Sequence, residues 1–386
     1  MKNLIKAFFL SGIMVCMLFT SCSDMNELSD RFLKDGEISY AAMPDFAYVG
    51  AGKERVQFLI WFTTNRVKTV RIYWNNYSDS TDVEIGNQTG VFQKIVENLP
   101  EQSYLFNMVS LDQYGNKSLP YEMSGRTLGA KYESSMLNRS LVSINADKLG
   151  NKVLEWGNVD ESSDAKYTEV KYTNVNNESV TIVVPLTESK TIIPDLKLNT
   201  LPQYRTVYIP DLLELDVFGT PFKDGELKYA GEFMLLKPEI SIMGYSSQHD
   251  SGSNAAKNVL DNNYANRWHT RSPGNFPHWM AFNMGAEVTI SRFSLFASIF
   301  DPEVGNYDTR LPASVTLWGR TDEPPSDDLG SDEGWTKLGE YPCENRIGEQ
   351  TFVINSPIPV RYFKMFSPSG VHATLMVLGE VDFYSR

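Results

Sequence analysis

Positive charge is scarce in this sequence. Its 386 residues include 35 lysines and arginines against 48 aspartates and glutamates, which gives a net charge of -13. Nucleic acids require basic patches that face their phosphates, so this balance argues against a nucleic acid partner. It is compatible with plain solubility, with a neutral ligand or with a bound cation. The 42% hydrophobic and 22% charged content is ordinary for soluble globular protein, and the length suits about two to four domains.

Recognisable catalytic motifs are also absent. The sequence has no Gly-x-Ser-x-Gly, no His-Glu-x-x-His and no glycine-rich phosphate loop. His269 and His278 have the wrong spacing for one face of a helix. Glycoside hydrolysis needs two carboxylates at a defined separation, which a sequence cannot show. The chain is predicted to consist of three small β-domains, so no length remains for a catalytic barrel, and we expect no enzyme activity.

Cysteine is too rare for a disulfide framework. Of the 3 cysteines, Cys16 and Cys22 lie near the N-terminus, so Cys343 has no partner for an internal bridge. A nucleophilic cysteine needs a neighbouring base, and no histidine signature places one beside Cys343. We therefore expect Cys343 to be a buried or half-buried small hydrophobic residue.

Residues 1–22 are predicted to be a signal peptide. A basic end precedes an apolar run at residues 7–20, which is too short for an ordinary membrane span. The segment Leu18-Phe19-Thr20-Ser21-Cys22 resembles a bacterial lipoprotein signal, which implies cleavage before Cys22 and lipidation of its thiol. The alternative is a plain secretory signal with an incidental cysteine. Residues 23–27 resemble the acidic tag of surface-exposed Bacteroides lipoproteins. We therefore expect an outer-membrane protein that faces the cell exterior and contacts the membrane through its lipid anchor only.

Strand signals begin after a mixed segment that ends near residue 53. Short runs rich in β-branched and aromatic residues, or with half-buried alternation, lie at residues 55–62, 69–74 and 99–110. Tyr104, with Leu99 five residues before it, resembles the tyrosine corner of immunoglobulin-like sandwiches. The turn at 112–118 is similar to the end of a fibronectin type III repeat. We predict a fibronectin III-like β-sandwich over residues 23–127.

A second set of strand-like runs follows. The runs lie at residues 152–156, 167–172, 180–185 and 205–210. They predict a second fibronectin III-like sandwich over residues 128–235, with a short helix at 130–140 as the alternative to a plain linker. The layout of signal and sandwiches resembles the DUF4998 proteins of gut Bacteroidetes over roughly residues 25–225. That resemblance implies no activity.

The stretch at residues 255–270 combines an oxygen-rich turn at 261–263 with a large apolar side chain, Trp268. It resembles the start of an F5/8 type C domain, the discoidin-like jelly roll also used by family 32 carbohydrate-binding modules. Further matching segments lie at residues 246–247, 277–285, 290–293, 335–339, 360–364 and 378–384. The resemblance implies a discoidin-like jelly roll over residues 236–386, so we predict an all-β chain of two sandwiches followed by this jelly roll.

The same resemblance implies a structural Ca²⁺ ion. The predicted ligands are oxygens of Asn258, Asp261, Asn263, Asn266 and Glu380. Oxygen donors are what this hard cation needs, and the Asp261 loop and the Glu380 strand should then meet in space. The alternative is a polar turn in which Asp261 bonds its own backbone. A second acidic stretch, residues 321–334, lacks the ligand alternation of an EF-hand, so we expect a solvated hairpin loop there.

The 4 histidines all fall in the predicted jelly roll, in or beside loops that also hold aromatic or arginine residues. A sugar site offers aromatic faces to C–H surfaces and planar hydrogen-bond donors to hydroxyls. The predicted ligand-binding residues are His249, Arg271, Asn275, Phe276 and His372. Trp268 and Trp279 are predicted to lie in the core or at its rim instead.

We therefore predict a lipoprotein whose jelly roll binds a glycan or polysaccharide during polysaccharide capture or uptake. Its protein partners would be an outer-membrane importer or other surface lipoproteins. One alternative is a non-catalytic adhesin or assembly subunit that binds a protein. Another is a glycosidase-type enzyme whose carboxylates the sequence does not reveal.

Overall fold

The structure, a computed structural model, describes residues 39–160, 163–301 and 304–386. The predicted signal peptide and Cys22 lie outside these residues. Within the described ranges, no helix is long and apolar enough to cross a membrane. The chain forms two compact units. The first ends at Ser134 and includes Asp211–Asp216, and the second comprises Ser135–Pro210 and Val217–Arg386.

Residues 39–134 contain two antiparallel sheets, with strand orders β1-β2-β5 and β4-β3-β6-β7. The strands are β1 Phe46–Gly52, β2 Arg55–Phe62, β3 Thr69–Trp74, β4 Asp79–Glu84, β5 Gly90–Glu97, β6 Ser103–Leu111 and β7 Tyr121–Arg126. Alternate residues of β2 are fully buried, and the ring of Phe58 contacts that of Phe106 on the facing sheet at 4.9 Å. The predicted strands at 55–62 and 69–74 are confirmed as β2 and β3.

Tyr104 forms a tyrosine corner near the start of β6. Its hydroxyl donates to the carbonyl of Pro100 at 2.8 Å, and the Thr127 hydroxyl donates to the same carbonyl at 2.6 Å. The Tyr104 ring stacks on Phe106 with centroids 5.6 Å apart, so the corner is tied to the core. The tyrosine corner predicted from Leu99 and Tyr104 is confirmed, and both side chains are buried.

A short helix, α1 Ala130–Ser135, follows β7. Its first turn is capped by the Glu101 carboxylate, which accepts hydrogen bonds from the backbone N–H of Lys131 and Tyr132, each at 2.7 Å. These donors have no partner within the helix, so the distant carboxylate stabilises its start. The helix that the sequence offered at 130–140 as the alternative to a plain linker forms over residues Ala130–Ser135.

The second sandwich belongs to the second unit. Its strands are β8 Leu141–Ala146, β9 Lys152–Trp156, β10 Ala165–Thr173, β11 Ser179–Pro185, β12 Lys190–Ile193, β13 Gln203–Tyr208, β14 Phe218–Gly219, β15 Lys223–Asp224 and β16 Phe233–Leu235. One sheet has the order β11-β10-β13-β14, with β15 also on β13, and the other starts β12-β9-β8-β16. Trp156 is buried, with its ring 5.5 Å from that of Tyr204 and its Nε1–H donating to the Thr191 hydroxyl at 2.8 Å.

The C-terminal domain is a β-sandwich with two 3-10 helices, η1 Lys237–Glu239 and η2 Ala256–Leu260. Its strands are β17 Ser241–Tyr245, β18 Trp268–His269, β19 His278–Phe296, β20 Ile299–Asp301, β21 Asn306–Tyr307, β22 Ser314–Arg320, β23 Thr336–Pro342, β24 Glu349–Val353, β25 Pro359–Ser367, β26 Val377–Leu378 and β27 Glu380–Ser385. The first half of β19 pairs with β17 and β25, and its second half with β24 and β27. The register shifts near Gly285, whose φ of 81° favours glycine.

The core of this domain is aromatic. Its fully buried rings are those of Phe282, Phe293, Phe363 and Phe383. Trp268 is also fully buried and Trp279 is half-buried, which confirms their predicted place in the core and at its rim.

The second sandwich and the C-terminal domain share a sheet. Met234 of β16 lies opposite Asn145 of β8 in a parallel pair and opposite Tyr384 of β27 in an antiparallel pair. One continuous sheet therefore runs from β12 to β23. The all-β class, with two sandwiches before a jelly-roll-like domain, is confirmed. The boundaries at 127/128 and 235/236 stay predictions.

Candidate functional site

Loops that are distant in sequence meet at one end of the C-terminal domain. The backbone N–H of His249 donates to the carbonyl of His269 at 2.8 Å. The N–H of Val371 donates to the carbonyl of Leu311 at 2.9 Å. These bonds join the loop after β17 to β18, and the loop after β25 to the segment before β22. The result is a surface built from loops on a rigid sandwich, which is where binding residues commonly lie.

The predicted ligand-binding residues all lie on these loops. The side chains of His249, Arg271, Asn275 and His372 are exposed, and that of Phe276 is half-buried. Phe276 packs closely against Gly370, where an added Cβ would lie only 2.5 Å from the ring. The ring also contacts His278, with centroids 4.5 Å apart. Phe276 therefore links two of the loops. The role of all five residues as ligand contacts stays a prediction.

His278 is buried beneath the loops. Its Nε2 atom lies 3.4 Å from the carbonyl of Thr374 and 3.3 Å from the Thr270 hydroxyl, and its Nδ1 atom lies 3.1 Å from the Ser246 hydroxyl. A carbonyl only accepts, so Nε2 carries the hydrogen, and Nδ1 accepts from the serine. Burial lowers the pKa of His278 below its ordinary value. The neutral ring thus holds several loop segments together.

His269 forms a second support. Its Nδ1 atom donates to the carbonyl of Thr270 at 2.5 Å, and its Nε2 atom accepts from the Arg310 guanidinium at 2.9 Å. Arg310 is held in turn by buried Asp308, whose Oδ1 accepts from Arg310 Nε at 2.8 Å. Burial lowers the pKa of His269, and the nearby guanidinium lowers it further. The ring is therefore neutral and has one donor and one acceptor.

Acidification should destabilise the C-terminal domain through these two histidines. Their folded-state pKa values are lowered, so the unfolded chain binds more protons as the pH falls below about 6.5, and stability is lost. The melting temperature should therefore fall less steeply between about pH 7 and about pH 5 in His278→Asn than in the wild type. His372→Asn, at an exposed position, is the control and should follow the wild type. Parallel pH profiles for His278→Asn and the wild type would contradict this prediction.

Sequence reasoning missed another part of this region. The guanidinium of Arg267 lies 4.4 Å from the ring centroid of Phe300, which is 53% exposed. A cation above an aromatic face holds the ring in place. Arg267 Nη1 also lies 3.7 Å from the Asp308 carboxylate, which joins this pair to Arg310. An arginine beside Trp268 was visible in the sequence, but nothing local pairs it with Phe300.

The structure brings the Asp261 loop and Glu380 together. The backbone N–H of Asn263 donates to Asp261 Oδ1 at 2.8 Å and to Glu380 Oε1 at 3.0 Å. The Asn266 amide donates to Asp261 Oδ2 at 2.9 Å. The buried Asn258 amide donates to the carbonyls of neighbouring loop residues instead. The Asp261 carboxylate is therefore bonded within its own turn, as the alternative to a metal site predicts.

These residues do not fit a calcium ion. The ammonium of Lys237 lies 2.5 Å from Glu380 Oε2 and 2.8 Å from Asp382 Oδ1, within a buried cluster. Calcium needs about six to eight oxygen ligands at roughly 2.3–2.6 Å, and an ammonium beside Glu380 takes that place and repels a cation. No group of three or more His, Cys, Asp or Glu residues in the described ranges could hold a metal. Burial opposes the charge, but the two carboxylates keep the pKa of Lys237 above its ordinary value.

The acidic stretch at 321–334 connects the antiparallel strands β22 and β23, which confirms the predicted hairpin. It is more than a solvated loop, because its Leu329 is buried, as is Trp335 directly after it. The buried Lys364 ammonium donates to the carbonyls of Leu329 and Ser331 and lies 4.4 Å from the Trp335 ring centroid. These contacts fasten the loop to β25.

Cys343 is half-buried against the hydrophobic core. Burial raises the pKa of its thiol to about 12, so the nucleophilic thiolate is scarce at neutral pH. The predicted small hydrophobic role is confirmed.

Solved structures similar to this chain include two small domains. One is the family 32 carbohydrate-binding module of C. perfringens NanJ in complex with galactose, with 17% identity, 40% of this chain and 99% of that chain covered, and a TM-score of 0.33. Another is the C-terminal domain of a chitobiase from Bacteroides fragilis, with 20% identity, 40% and 97% coverage, and a TM-score of 0.33. A SusE-like protein has 14% identity, 88% and 96% coverage, and a TM-score of 0.31.

Family comparisons cover most of the sequence. Residues 257–384 match the DUF5000 family and residues 22–218 match the DUF4998 family, both described as domains of unknown function. No curated protein sequence matches the chain. The DUF4998 resemblance inferred over roughly residues 25–225 is thereby confirmed. Because the match at 22–218 spans just over half of the 386 residues, the chain belongs to the DUF4998 family.

Proposed function

We propose that the C-terminal domain binds a glycan on its loop surface, defined by His249, Arg271, Asn275, Phe276 and His372. The observation that carries this proposal is the presence of exposed planar side chains on loops that meet at one end of the sandwich. Imidazole, guanidinium and amide groups supply hydrogen-bond donors in fixed planes. The accessible part of Phe276 supplies an apolar face for sugar C–H groups.

The contacts that hold these loops in place are consistent with the proposal. A weak ligand such as a sugar is bound well only when the binding groups are already positioned, because ordering them on binding costs affinity. Neutral His269 and His278 hold the loops through bonds to Arg310, Thr270 and Thr374. Charged lysines are not among the predicted contacts, which suits a neutral ligand.

A glycan array tests the proposal directly. The full chain should be used, because a fragment that starts at Leu236 would remove β16 from its pairing with β27. Binding to a defined set of neutral glycans is the expected result. An array without hits, on a chain shown to be folded, would contradict glycan binding and favour the protein partner that the sequence left open.

We infer that the domain binds without hydrolysing the glycan. None of the five predicted contacts is an aspartate or a glutamate, whereas glycosidases act through two carboxylates. Incubation of the array-positive glycans with the full chain should release no reducing ends. Release that persists after repeated purification would establish the glycosidase alternative.

We also propose that the protein is anchored by lipid on Cys22 at the outer membrane, where it faces the exterior and acts in polysaccharide capture or uptake. The support is the apolar run before Cys22 in the sequence. Labelled fatty acid should appear on the wild-type chain and disappear in Cys22→Ala, which should no longer partition into detergent. Absence of label on the wild type would refute the anchor. Protection from protease on intact cells would refute only the exterior location.

A further inference from the structure

We propose that the ammonium group of Lys237 takes the place of a divalent cation in the C-terminal domain, so that the domain closes its Asp261 loop against its last strand without calcium. Such a closure does not depend on glycan binding. The Asp261 loop meets Glu380, as the calcium prediction requires, but Glu380 also contacts the ammonium of Lys237.

Lys237 is buried between two carboxylates. Its side chain is only 2% exposed, and its Nζ atom lies between carboxylates of Glu380, 0% exposed, and Asp382, 6% exposed. Two buried carboxylates on one strand would repel each other strongly without a cation between them. An ammonium has three donors, so it can donate to both carboxylates, and its positive charge reduces the repulsion between them.

Glu380 transmits this contact to the Asp261 loop. One of its oxygens accepts from Lys237, and the other accepts from the backbone N–H of Asn263 at 3.0 Å. The loop and β27 are thereby joined across 117 residues of sequence, which is the closure that the calcium prediction required. The lysine ammonium donates to the Glu380 carboxyl group and holds it in place.

Lys237 also belongs to the connection between the two sandwiches of the second unit. It follows β16 directly after Leu236, whose N–H donates to the carbonyl of Ala146 at 3.0 Å. Two residues later, Glu239 accepts from the backbone N–H of Lys148 at 2.7 Å. The internal cation therefore ties the connecting segment, the Asp261 loop and β27 at one point.

The first test uses the wild-type full chain. Its melting temperature should be the same, within about 1 °C, in chelator and in millimolar calcium, since a ligand that does not bind the folded state cannot stabilise it. Elemental analysis should find no stoichiometric calcium. Bound calcium together with a melting temperature that falls in chelator would overturn the proposal.

The second test removes the ammonium. Lys237→Met should lower the melting temperature by roughly 5–15 °C, because it leaves buried carboxylates without a partner. Lys257→Met, at an exposed position on η2, is the matched control and should melt like the wild type. The double variant Lys237→Met/Glu380→Gln removes one of the two unpaired carboxylates and should recover part of the loss. A single Lys237→Met variant as stable as the control, or a double variant with no recovery, would overturn the proposal.

The third test asks whether a metal can return. Lys237→Ala opens space beside the oxygens of Glu380 and Asp382, close to Asp261. Millimolar calcium should raise the melting temperature of this variant by several degrees and leave Lys257→Ala unchanged. If calcium has no effect on Lys237→Ala, the carboxylates do not form a cation site and the proposed replacement is wrong.

Discussion

Replacement of Trp268 by alanine should lower the free energy of unfolding of the C-terminal domain by about 3–5 kcal/mol. The indole ring is fully buried, and its Nε1–H donates to the carbonyl of Ser247 at 2.8 Å. Alanine leaves a cavity in the core and an unpaired carbonyl beneath the loop that carries His249. The melting temperature measured by circular dichroism should fall by roughly 6–20 °C, at roughly 2–4 °C per kcal/mol.

Two variants control for this effect. Trp61→Ala removes the same side chain from β2, where it is 49% exposed, and should change the free energy of unfolding by less than about 1 kcal/mol. Trp268→Phe keeps an aromatic ring but loses the donor to Ser247, and should fall between the wild type and Trp268→Ala. A Trp268→Ala variant that melts like Trp61→Ala would show that this ring does not anchor the loops.

Removal of the Arg271 side chain should weaken glycan binding about ten- to a hundredfold, which corresponds to roughly 1–3 kcal/mol. The backbone N–H of Arg271 donates to the Ser247 hydroxyl at 3.1 Å, so the loop keeps this bond when the exposed guanidinium is lost. Arg271→Ala should therefore fold normally and bind poorly. Titration calorimetry with a glycan from the array measures the affinity, and a thermal melt verifies the fold.

The matched control is Arg361→Ala. Arg361 is also exposed, but it lies near the start of β25, about 20 Å along the strand from the loop that follows Ser367. Its removal should leave the affinity unchanged, whereas His249→Ala and His372→Ala should weaken binding. Full affinity in Arg271→Ala, His249→Ala and His372→Ala would place the ligand elsewhere, with the exposed Phe300 beside Arg267 as the next region to test.

Phe276→Ala should affect both the fold of the loops and the binding of the glycan. Its ring contacts both Gly370 and His278, so alanine there removes a loop contact as well as a sugar-facing surface. A loss of affinity in this variant is informative only when its melting temperature stays close to that of the wild type.

The sequence by itself determined the position of several strands, the tyrosine corner and the exposed loops, because each depends on residues that are close together in the chain. The runs at 55–62 and 69–74 coincide with β2 and β3, because alternating burial on a sheet demands alternating side chains. Tyr104 formed its corner because its partner, Pro100, lies only four residues away. The exposed loop positions of His249, Arg271, Asn275 and His372 likewise follow from polar segments between strand signals.

The tertiary structure alone decided which distant residues meet. Lys237 lies 143 residues before Glu380. The residues next to a lysine in the sequence do not distinguish a buried lysine from an exposed one. The pairing of His269 with Arg310, and of β16 with both β8 and β27, depends in the same way on strand register. A family resemblance could place Asp261 and Glu380 together, but it could not show that a lysine lies beside them. The position of the ammonium is a property of the packed fold, because only packing buries the side chains of Lys237, Glu380 and Asp382 together.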